Sequence, residues 1–225
     1  MIPNTKKRLR FFIQADRMIN FGKFHNSLFD RLKLWIGLNK IGSFLVTLRK
    51  YEYYLNQESG IKVKILRQFY RYKWVKQGQK LGFTIYPNVV DYALSLDHWG
   101  TIVIGNENRI GAYALIHTST CIPMGNRVIG DFLRLSAGAK ITGKGIKLGN
   151  GISVAANSVV TKDCISDNKL LAGMPAKPIK DVIPWVILDG EVFKERFRKI
   201  EVLKEKMGLG ENLYEITIKN ILSSS

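Results

Sequence analysis

Aliphatic residues recur every six positions through the middle of the chain, from about residue 84 to residue 177. They are Ile104, Ile110, Ile116 and Ile122, then Ile129, Leu135 and Ile141, and after one extra residue Leu148, Val154 and Val160. A period of six matches neither the 3.6-residue turn of an α-helix nor the alternation of a simple strand. It is typical of a hexapeptide β-helix, in which three hexads make one triangular coil and the aliphatic side chains stack inside.

Small residues accompany this aliphatic series at fixed positions. Those directly after an aliphatic residue include Gly105, Gly111, Gly130, Ser136, Gly149 and Ala155. Those four places after one include Ala114, Thr120, Ala139 and Ser158. Small side chains suit the tight corners of a coil, so the two patterns predict the same structure. A β-sandwich of short strands is the alternative interpretation.

Helical spacing replaces the hexads before residue 80 and predicts three or four helices there. The apolar positions are Phe12, Ile13, Met18, Ile19, Phe29, Leu32, Leu34, Ile36, Phe44, Leu45 and Leu48. Gly42-Ser43 and Gln57-Glu58-Ser59-Gly60 are predicted as breaks between helices.

Helical spacing also returns after the hexads, over Glu191–Met207. One side of this helix carries Val192, Phe197, Ile200 and Leu203. We expect the helix to cap the open end of the coils or to pack on a neighbouring subunit, and the Ser223–Ser225 tail to be mobile. The predicted divisions are a helical domain over 1–80, a β-helix over 81–180 and a C-terminal extension over 181–225.

The chain is strongly basic, with a formal charge of +17 over 225 residues. Such an excess favours polyanionic partners: nucleic acid, acidic lipid head groups or a phosphorylated ligand. Aromatic residues alternate with Arg and Lys in 67–74, which suits base stacking or a helix with its rings turned inward. No nucleic-acid motif accompanies them, so we predict no nucleic-acid partner. Peripheral contact with an anionic membrane stays open.

Two features of the sequence argue against a secreted or membrane-spanning protein. The apolar stretch Phe11-Phe12-Ile13 is too short for a signal peptide or a spanning helix, which favours a cytoplasmic location. Cys121 and Cys164 are too few for a disulfide framework or a zinc cage, and we expect both to pack as small apolar side chains.

Four segments resemble the serine acetyltransferase branch of the hexapeptide-repeat acyltransferases. Leu96–Gly105 is similar to that family's Leu-Asp-His-(x)2-Gly-Ile-Val-Val-Gly stretch. Ser136–Ile141, Val154–Val160 and the Ala-Gly-Met-Pro-Ala-Lys run of Ala172–Lys177 look like its acetyl-CoA-binding coils and their closing turn. The resemblance implies a left-handed β-helix with helical extensions and a homotrimer with active sites between neighbouring prisms. It also implies an O-acetyltransferase that uses acetyl-CoA and no metal.

Three histidines are the candidate bases, because a hydroxyl needs a proton acceptor before it can attack a thioester. His98 lies where the aliphatic series slips by two residues, before Ile102 or Ile104, and we predict it as the general base. His117, one coil later, would lie about 5 Å away if it occupies the same edge, and would bind the acceptor or share the proton. His25 is expected to be a solvated or packed side chain.

The remaining candidates are acidic residues and the positions that the resemblance assigns to the cofactor. Asp97 is predicted to orient His98 or to hold the acceptor. Asp16 and Asp91 are predicted to contact the acceptor, although a solvated helix residue is the simpler interpretation of Asp16. In the resemblance, Ala137 and Ala156 keep a narrow groove for the pantetheine arm, and Pro175 and Lys177 lie near the adenosine phosphates.

The sequence departs from true serine acetyltransferases at three places. Ile122-Pro123-Met124-Gly125 replaces their Gly-Gly loop, and their second active-site histidine has no counterpart near Asn126. Their acidic residue that orients the histidine falls near Thr84, which leaves Asp91 as the nearest substitute. These departures favour a sugar hydroxyl of a surface polysaccharide over serine as acceptor. A metal-dependent lyase on the same fold and a non-catalytic trimeric scaffold are the rival hypotheses.

Overall fold

A computed structural model describes residues 1–25, 27–29 and 39–223 of the chain. Leu32, Leu34 and Ile36, which carry part of the predicted helical spacing, lie outside the described residues, as do the last two residues of the Ser223–Ser225 tail. Three N-terminal helices are described: α1 (Lys6–Phe21), α2 (Lys40–Leu55) and α3 (Ile61–Leu81).

The ends of these helices follow from local capping. The Thr5 hydroxyl accepts a hydrogen bond from the Arg8 amide and starts α1. The side chain of Asn39 likewise accepts from the Gly42 amide at 2.8 Å, so α2 runs through Gly42-Ser43 and the break predicted there is wrong. The break predicted over residues 57–60 is confirmed, because α2 ends at Leu55 and α3 begins at Ile61.

The middle of the chain is a left-handed parallel β-helix of about five coils with three faces, which confirms the predicted fold class. The first face contains β1 (Phe83–Ile85), β3 (Ile102–Ile104), β6 (Thr120–Ile122), β9 (Lys140–Ile141) and β12 (Val159–Val160). The second face contains β4 (Arg109–Ile110), β7 (Val128–Ile129) and β10 (Lys147–Leu148). The third face contains β2 (Ser95–Leu96), β5 (Leu115–Ile116), β8 (Arg134–Leu135), β11 (Ser153–Val154), β13 (Lys169–Gly173) and, antiparallel to it, β14 (Ala176–Asp181).

The predicted aliphatic series forms the core of this β-helix. All ten residues of the series, from Ile104 to Val160, are buried, and strand pairing stacks each on its equivalent in the next coil. α2 and α3 close the N-terminal end, where Phe44, Leu48 and Leu81 join the same apolar cluster as Phe83. α2, α3 and the inside of the β-helix therefore share one core, whereas the buried residues of α1 belong to a second apolar cluster.

The C-terminal helices are α4 (Trp185–Leu188), α5 (Glu191–Lys206) and α6 (Leu213–Ser223). α5 packs along the side of the β-helix and against α1, so the prediction that it caps the open end is wrong. Packing between aromatic rings explains this position. The centroid of the Phe197 ring lies 4.8 Å from that of Tyr113 and 5.4 Å from that of Phe132, at the corner between the second and third faces. Phe197 and Ile200 are buried as predicted, whereas Val192 is exposed.

Buried polar groups fix this side helix. The hydroxyls of Tyr92 and Tyr113 both donate to Glu201 Oε1, at 2.8 and 2.6 Å, and Lys204 forms an ion pair with Glu201 Oε2 at 2.7 Å. Burial, reinforced by this carboxylate, raises the pKa of Tyr92, which keeps its hydroxyl protonated as a donor. A charge without partners would be costly here, so the network specifies where α5 lies.

Candidate active site

One corner of the β-helix, between the third and first faces, contains most of the predicted site residues. Strand pairing along the third face aligns Leu96, Ile116, Leu135, Val154 and Leu171 in successive coils. The chain turns this corner directly after each of them. We call this corner, formed by residues 97–101, 117–119, 136–139, 155–158 and the 173–176 turn, the active-site corner.

The first turn of the active-site corner is longer than the second. Eight positions separate Leu96 from Ile104, whereas six separate Ile116 from Ile122, although both pairs are aligned by the strands. The two additional residues make an exposed loop that holds His98 and Trp99. The slip in the aliphatic series therefore corresponds to a projecting loop, as the sequence predicted.

The His98 loop is fixed to the end of α3. The Gly100 amide donates to the Leu81 carbonyl at 2.8 Å, and the Ile102 amide donates to Gly82 at 3.0 Å. Gly82 has a φ of +79°, and a Cβ on it would lie 2.7 Å from the Gly100 carbonyl oxygen, so only glycine fits this contact. The loop is thus exposed to solvent at its tip and anchored at its base.

The acid next to His98 in the sequence faces the other histidine. Asp97 Oδ2 lies 3.7 Å from His117 Nδ1, with the two side chains 39% and 25% exposed. The pairing of Leu96 with Ile116, extended by one residue, puts Asp97 opposite His117 and leaves His98 one position further on. His98 and His117 share the corner but not the same position in it, and the contact made by Asp97 is with His117 rather than with His98.

Trp99 is a candidate that the sequence did not single out. Its side chain is 71% exposed beside His98, an unusual state for so large an apolar group. It lines a cavity of about 580 Å³ together with Phe21, Lys40 and Lys80, among other residues of α1, α2 and α3. The signal available in the sequence was its place directly after Asp-His, in a turn with no inward position to bury an indole.

Ala137 and Ala156 continue the active-site corner away from His98. Both are exposed, and the Asn157 amide donates to the Ala137 carbonyl at 3.0 Å, which stacks one turn on the next. Gly138 beside Ala137 has a φ of +74°, and a Cβ there would lie 2.0 Å from Asn157 Oδ1. Glycine is therefore required at position 138 of the turn, and the small side chains of Ala137 and Ala156 leave its outer surface shallow.

Pro175 and Lys177 lie at the far end of the same corner, in the hairpin that joins β13 to β14. Gly173, at the start of this turn, donates its amide to Ser158 Oγ at 3.0 Å, which attaches the hairpin to the coil of Ala156. Both Pro175 and Lys177 are exposed. At about 4.8 Å per coil, the positions of His98 and Gly173 are separated by four coil steps, or about 19 Å.

Asp16 lies elsewhere, and its carboxylate is used inside the protein. It is 1% exposed; Oδ2 accepts from Arg49 Nε at 2.7 Å and Oδ1 accepts from the Leu94 amide at 3.0 Å. The interpretation of Asp16 as a solvated helix residue is therefore wrong. Burial lowers the pKa of Arg49, but attraction to Asp16 and Glu52 outweighs burial and raises that pKa overall. This ion-pair network joins α1 and α2 to the first coil, because Arg49 also donates to the carbonyls of Val90 and Asp91.

Asp91 lies at a different corner, between the second and third faces. One oxygen accepts from the Tyr92 amide at 2.7 Å, and the other contacts the Met1 amino group. Because His98 follows one full face later, Asp91 is not placed to substitute for the orienting acid. Asp91 and Asp16 therefore belong to the packing of the helical part against the first coil.

His25 lies outside the active-site corner. Its Nε2 is 3.3 Å from Gln14 Nε2, in a second cavity of about 720 Å³ that α1, α2 and α5 enclose. Among residues 1–25, 27–29 and 39–223, no three His, Cys, Asp or Glu side chains come together in a group able to hold a metal ion. Within the same part of the chain, no helix has the length and apolar character needed to cross a bilayer.

Serine acetyltransferases are among the solved structures that resemble the chain. Serine acetyltransferase from Neisseria gonorrhoeae gives a TM-score of 0.57 at 21% identity, covering 79% of this chain and 68% of its own. That of Brucella abortus strain S19 gives 0.52 at 23%, covering 77% and 68%. A serine acetyltransferase in complex with CoA gives 0.51 at 22%, covering 76% and 67%. No model of a protein family and no curated protein sequence matches. These likenesses show that the predicted resemblance holds at the level of the fold.

Proposed function

We propose that the protein is an acetyl-CoA-dependent O-acetyltransferase. One observation carries the proposal: the exposed His98 loop and the shallow surface of Ala137, Ala156 and the 173–176 turn lie along a single corner of the β-helix. A linear acyl donor lying along this corner would bring one end to an imidazole. The serine acetyltransferase with CoA that shares the fold supports CoA as the donor.

In the proposed reaction, His98 accepts the proton of the acceptor hydroxyl as its oxygen attacks the thioester carbonyl. A C–O bond forms, the C–S bond breaks, and the proton returns from His98 to the departing thiolate. Backbone N–H groups of the active-site corner would stabilise the oxyanion. Transfer is direct, without an acyl-cysteine, since Cys121 and Cys164 lie on the first and second faces, outside the active-site corner.

The His117–Asp97 pair has a separate role in this proposal. His117 lies 25% exposed one coil from the loop, where it would bind the acceptor or hydrogen-bond the thioester carbonyl. Asp97 faces His117 and holds its ring in one orientation. Asp97 then acts on the reaction through His117 and is a positioning residue.

For the donor, Ala137 and Ala156 would contact the pantetheine arm, and Pro175 and Lys177 would lie near the nucleotide end. The fit is chemical as well as steric, because Lys177 is exposed and cationic and the adenosine end of CoA carries phosphates. No metal takes part in the proposed mechanism.

For the acceptor, we infer a sugar hydroxyl of a surface polysaccharide. The exposed Trp99 ring beside His98 offers a flat apolar surface of the kind that a sugar ring can cover. The missing second histidine and the replaced Gly-Gly loop argue against a site built for serine. Serine O-acetylation is the second candidate, favoured by the serine acetyltransferases that share the fold.

The assembly that fits this site is a homotrimer, with each active-site corner covered by a neighbouring prism. A corner so exposed in one chain excludes little water, and acyl transfer to an alcohol in competition with water needs a more enclosed cleft. Light scattering should therefore give three chains per particle. A stable monomer at micromolar concentration would contradict shared active sites.

The test of the proposed function is an acceptor screen. The purified protein is mixed with acetyl-CoA and, separately, with lipid-linked or nucleotide-linked sugars, free sugars and serine, and the released thiol is measured. Acetylation of a sugar identifies the proposed acceptor class, and acetylation of serine alone establishes the second candidate. Failure of CoA to raise the melting temperature, with no thiol release, would favour a non-catalytic scaffold.

A further inference from the structure

The outward surface of α3 carries a continuous stripe of exposed apolar side chains. Ile61 is 81% exposed, Ile65 63%, Phe69 53% and Tyr72 64%. They are spaced four, four and three residues apart, which puts them on one side of a helix. Monomeric proteins rarely expose large apolar residues in a row, and such a row indicates a binding surface.

This stripe lies opposite the face that α3 uses for packing. Trp74 on the inner face donates its indole N–H to the Ile85 carbonyl at 3.1 Å, and Gly78 and Leu81 are buried against the first coil. At about 100° per residue, the centre of the apolar stripe is half a turn from this inner face. The stripe is therefore not a leftover edge of the core.

Cations line both sides of the stripe. Lys64 and Arg71 lie on one side of it, and Lys62, Lys73 and Lys80 on the other, by the same helical geometry. The segment from Ile61 to Leu81 contains no Asp or Glu. Arg67 is turned inward and donates to the Tyr54 and Gln57 carbonyls, so it is not part of this surface. We call the stripe and these five cations the α3 surface.

Three occupants can be compared by charge. A second copy of the chain would bring like-charged cations together around each apolar stripe. A nucleic acid would neutralise the cations but leave Ile61 and Ile65 without an apolar partner. An anionic lipid bilayer provides both, since its head groups attract the cations while its acyl region buries the apolar side chains. We propose that the α3 surface docks the protein on an anionic membrane.

The position of α3 gives this docking a consequence for the site. The Leu81 carbonyl at the end of α3 accepts from the Gly100 amide, two residues after His98. Lys80 and Trp99 also line one cavity. A docked α3 would hold the His98 loop close to the bilayer, where a lipid-linked acceptor is presented. This consequence rests on the proposed function, whereas the docking itself does not.

The experiment measures binding to vesicles of phosphatidylcholine alone and of phosphatidylcholine mixed with phosphatidylglycerol. We expect the full chain to cosediment with the anionic vesicles only, and the binding to weaken as salt is added. Ile65→Asp with Phe69→Asp should lower the partition coefficient at least tenfold. Lys64→Gln with Arg71→Gln should also lower the partition coefficient at least tenfold, because each lost positive charge should weaken binding by about fivefold or more. Matched controls are Ile165→Asp, which is 73% exposed on the β-helix, and Lys144→Gln with Lys180→Gln.

Circular dichroism and a cooperative melting transition establish that each variant is folded. Equal binding of the wild type to both vesicle types, or no binding, overturns the proposal. Unchanged vesicle binding in the Ile65/Phe69 variant overturns it too; a simultaneous drop in particle mass would assign the surface to a second copy. Loss of duplex DNA binding in these variants, without vesicle binding in the wild type, would assign it to nucleic acid. Acetylation of a water-soluble acceptor should be unaffected, which separates this test from that of the proposed function.

Discussion

Asp97 Oδ2 and His117 Nδ1 lie 3.7 Å apart across two neighbouring coils, although Asp97 directly precedes His98 in the sequence. The distance is longer than a hydrogen bond and short enough for an ion pair when the imidazole is protonated. The pairing of Leu96 with Ile116 puts Asp97, and not His98, at the position opposite His117. Asp97 therefore contacts the imidazole of His117, while the next residue, His98, carries the other imidazole of the corner.

This relationship predicts coupling between Asp97 and His117. Asp97→Asn should lower kcat moderately by removing the counter-charge, and His117→Ala should lower it as well. Because both act through one imidazole, the double variant should be no slower than His117→Ala alone. Asp97→Glu, which keeps the charge, should recover part of the rate. Steady-state kinetics of the four variants check this, and additive losses would separate the two residues.

His98→Ala should lower kcat by about 10²–10⁴-fold, the usual contribution of a positioned general base. CoA affinity and assembly should be unchanged, since the imidazole acts on the acceptor oxygen. His117→Ala should cost less, and His25→Ala, the matched control outside the active-site corner, almost nothing. A larger loss in His117→Ala than in His98→Ala would reverse the two roles.

Lys177→Ala should weaken the binding of CoA by about tenfold, as expected for a lost charge-assisted contact. The loss should be smaller for dephospho-CoA if the ammonium meets the 3′-phosphate. Lys180→Ala is the control, since Lys180 is exposed on the same strand three residues further on. Isothermal titration calorimetry measures both affinities. An equal loss of affinity for both ligands would show that Lys177 does not contact the 3′-phosphate.

Arg49→Met should lower the free energy of unfolding by about 3–5 kcal/mol, because it leaves the buried Asp16 and Glu52 carboxylates without a cation. Arg198→Met is the matched control: Arg198 forms an exposed pair with Glu195 at 2.7 Å and should leave the melting temperature almost unchanged. Urea denaturation measures both. Similar stability of the two variants would show that water reaches the Arg49 network.

Asp131→Asn should make the protein more stable than the wild type at neutral pH. Burial raises the pKa of Asp131 above its ordinary value of 3.8, so folding favours the protonated acid. The protonated carboxyl of Asp131 stabilises the folded protein below the unfolded-state pKa. This stabilisation is lost as the pH rises through the higher folded-state pKa. In the wild type, the Ala112 amide donates a hydrogen bond to Asp131 Oδ1 at 2.7 Å. Asparagine stays neutral and retains an oxygen that accepts this hydrogen bond.

The advantage of Asp131→Asn should disappear in acid, as denaturation measured across a pH series will test. Asp131→Ala is the control, because it removes the acceptor and leaves the Ala112 amide without that partner. It should be less stable than Asp131→Asn at every pH. A wild type that is more stable than Asp131→Asn at neutral pH would contradict the prediction.

The sequence was sufficient for the β-helix because its period records local geometry: Ile110 and Ile129 must both point inward for two coils to stack. It was also sufficient to predict the loop at His98, since an insertion interrupts the period. It was not sufficient for the contact of Asp97 with His117, which depends on how many residues the neighbouring turn contains. Partners far apart in the chain, such as Asp16 with Arg49 and Phe197 with Tyr113, follow from tertiary packing that no period encodes.

The antiparallel strand β14 has a consequence for how the β-helix ends. A parallel coil stack leaves the hydrogen-bonding groups of its last strand free to pair with another molecule, and repeated pairing would give a fibre. β14 covers the third face at this end and itself contains Pro178, which has no N–H to donate, beside Lys177 and Lys180. Opposed ammonium groups and a missing donor make strand addition unfavourable there. The short hairpin therefore terminates growth and keeps a structure built from repeats at a finite length.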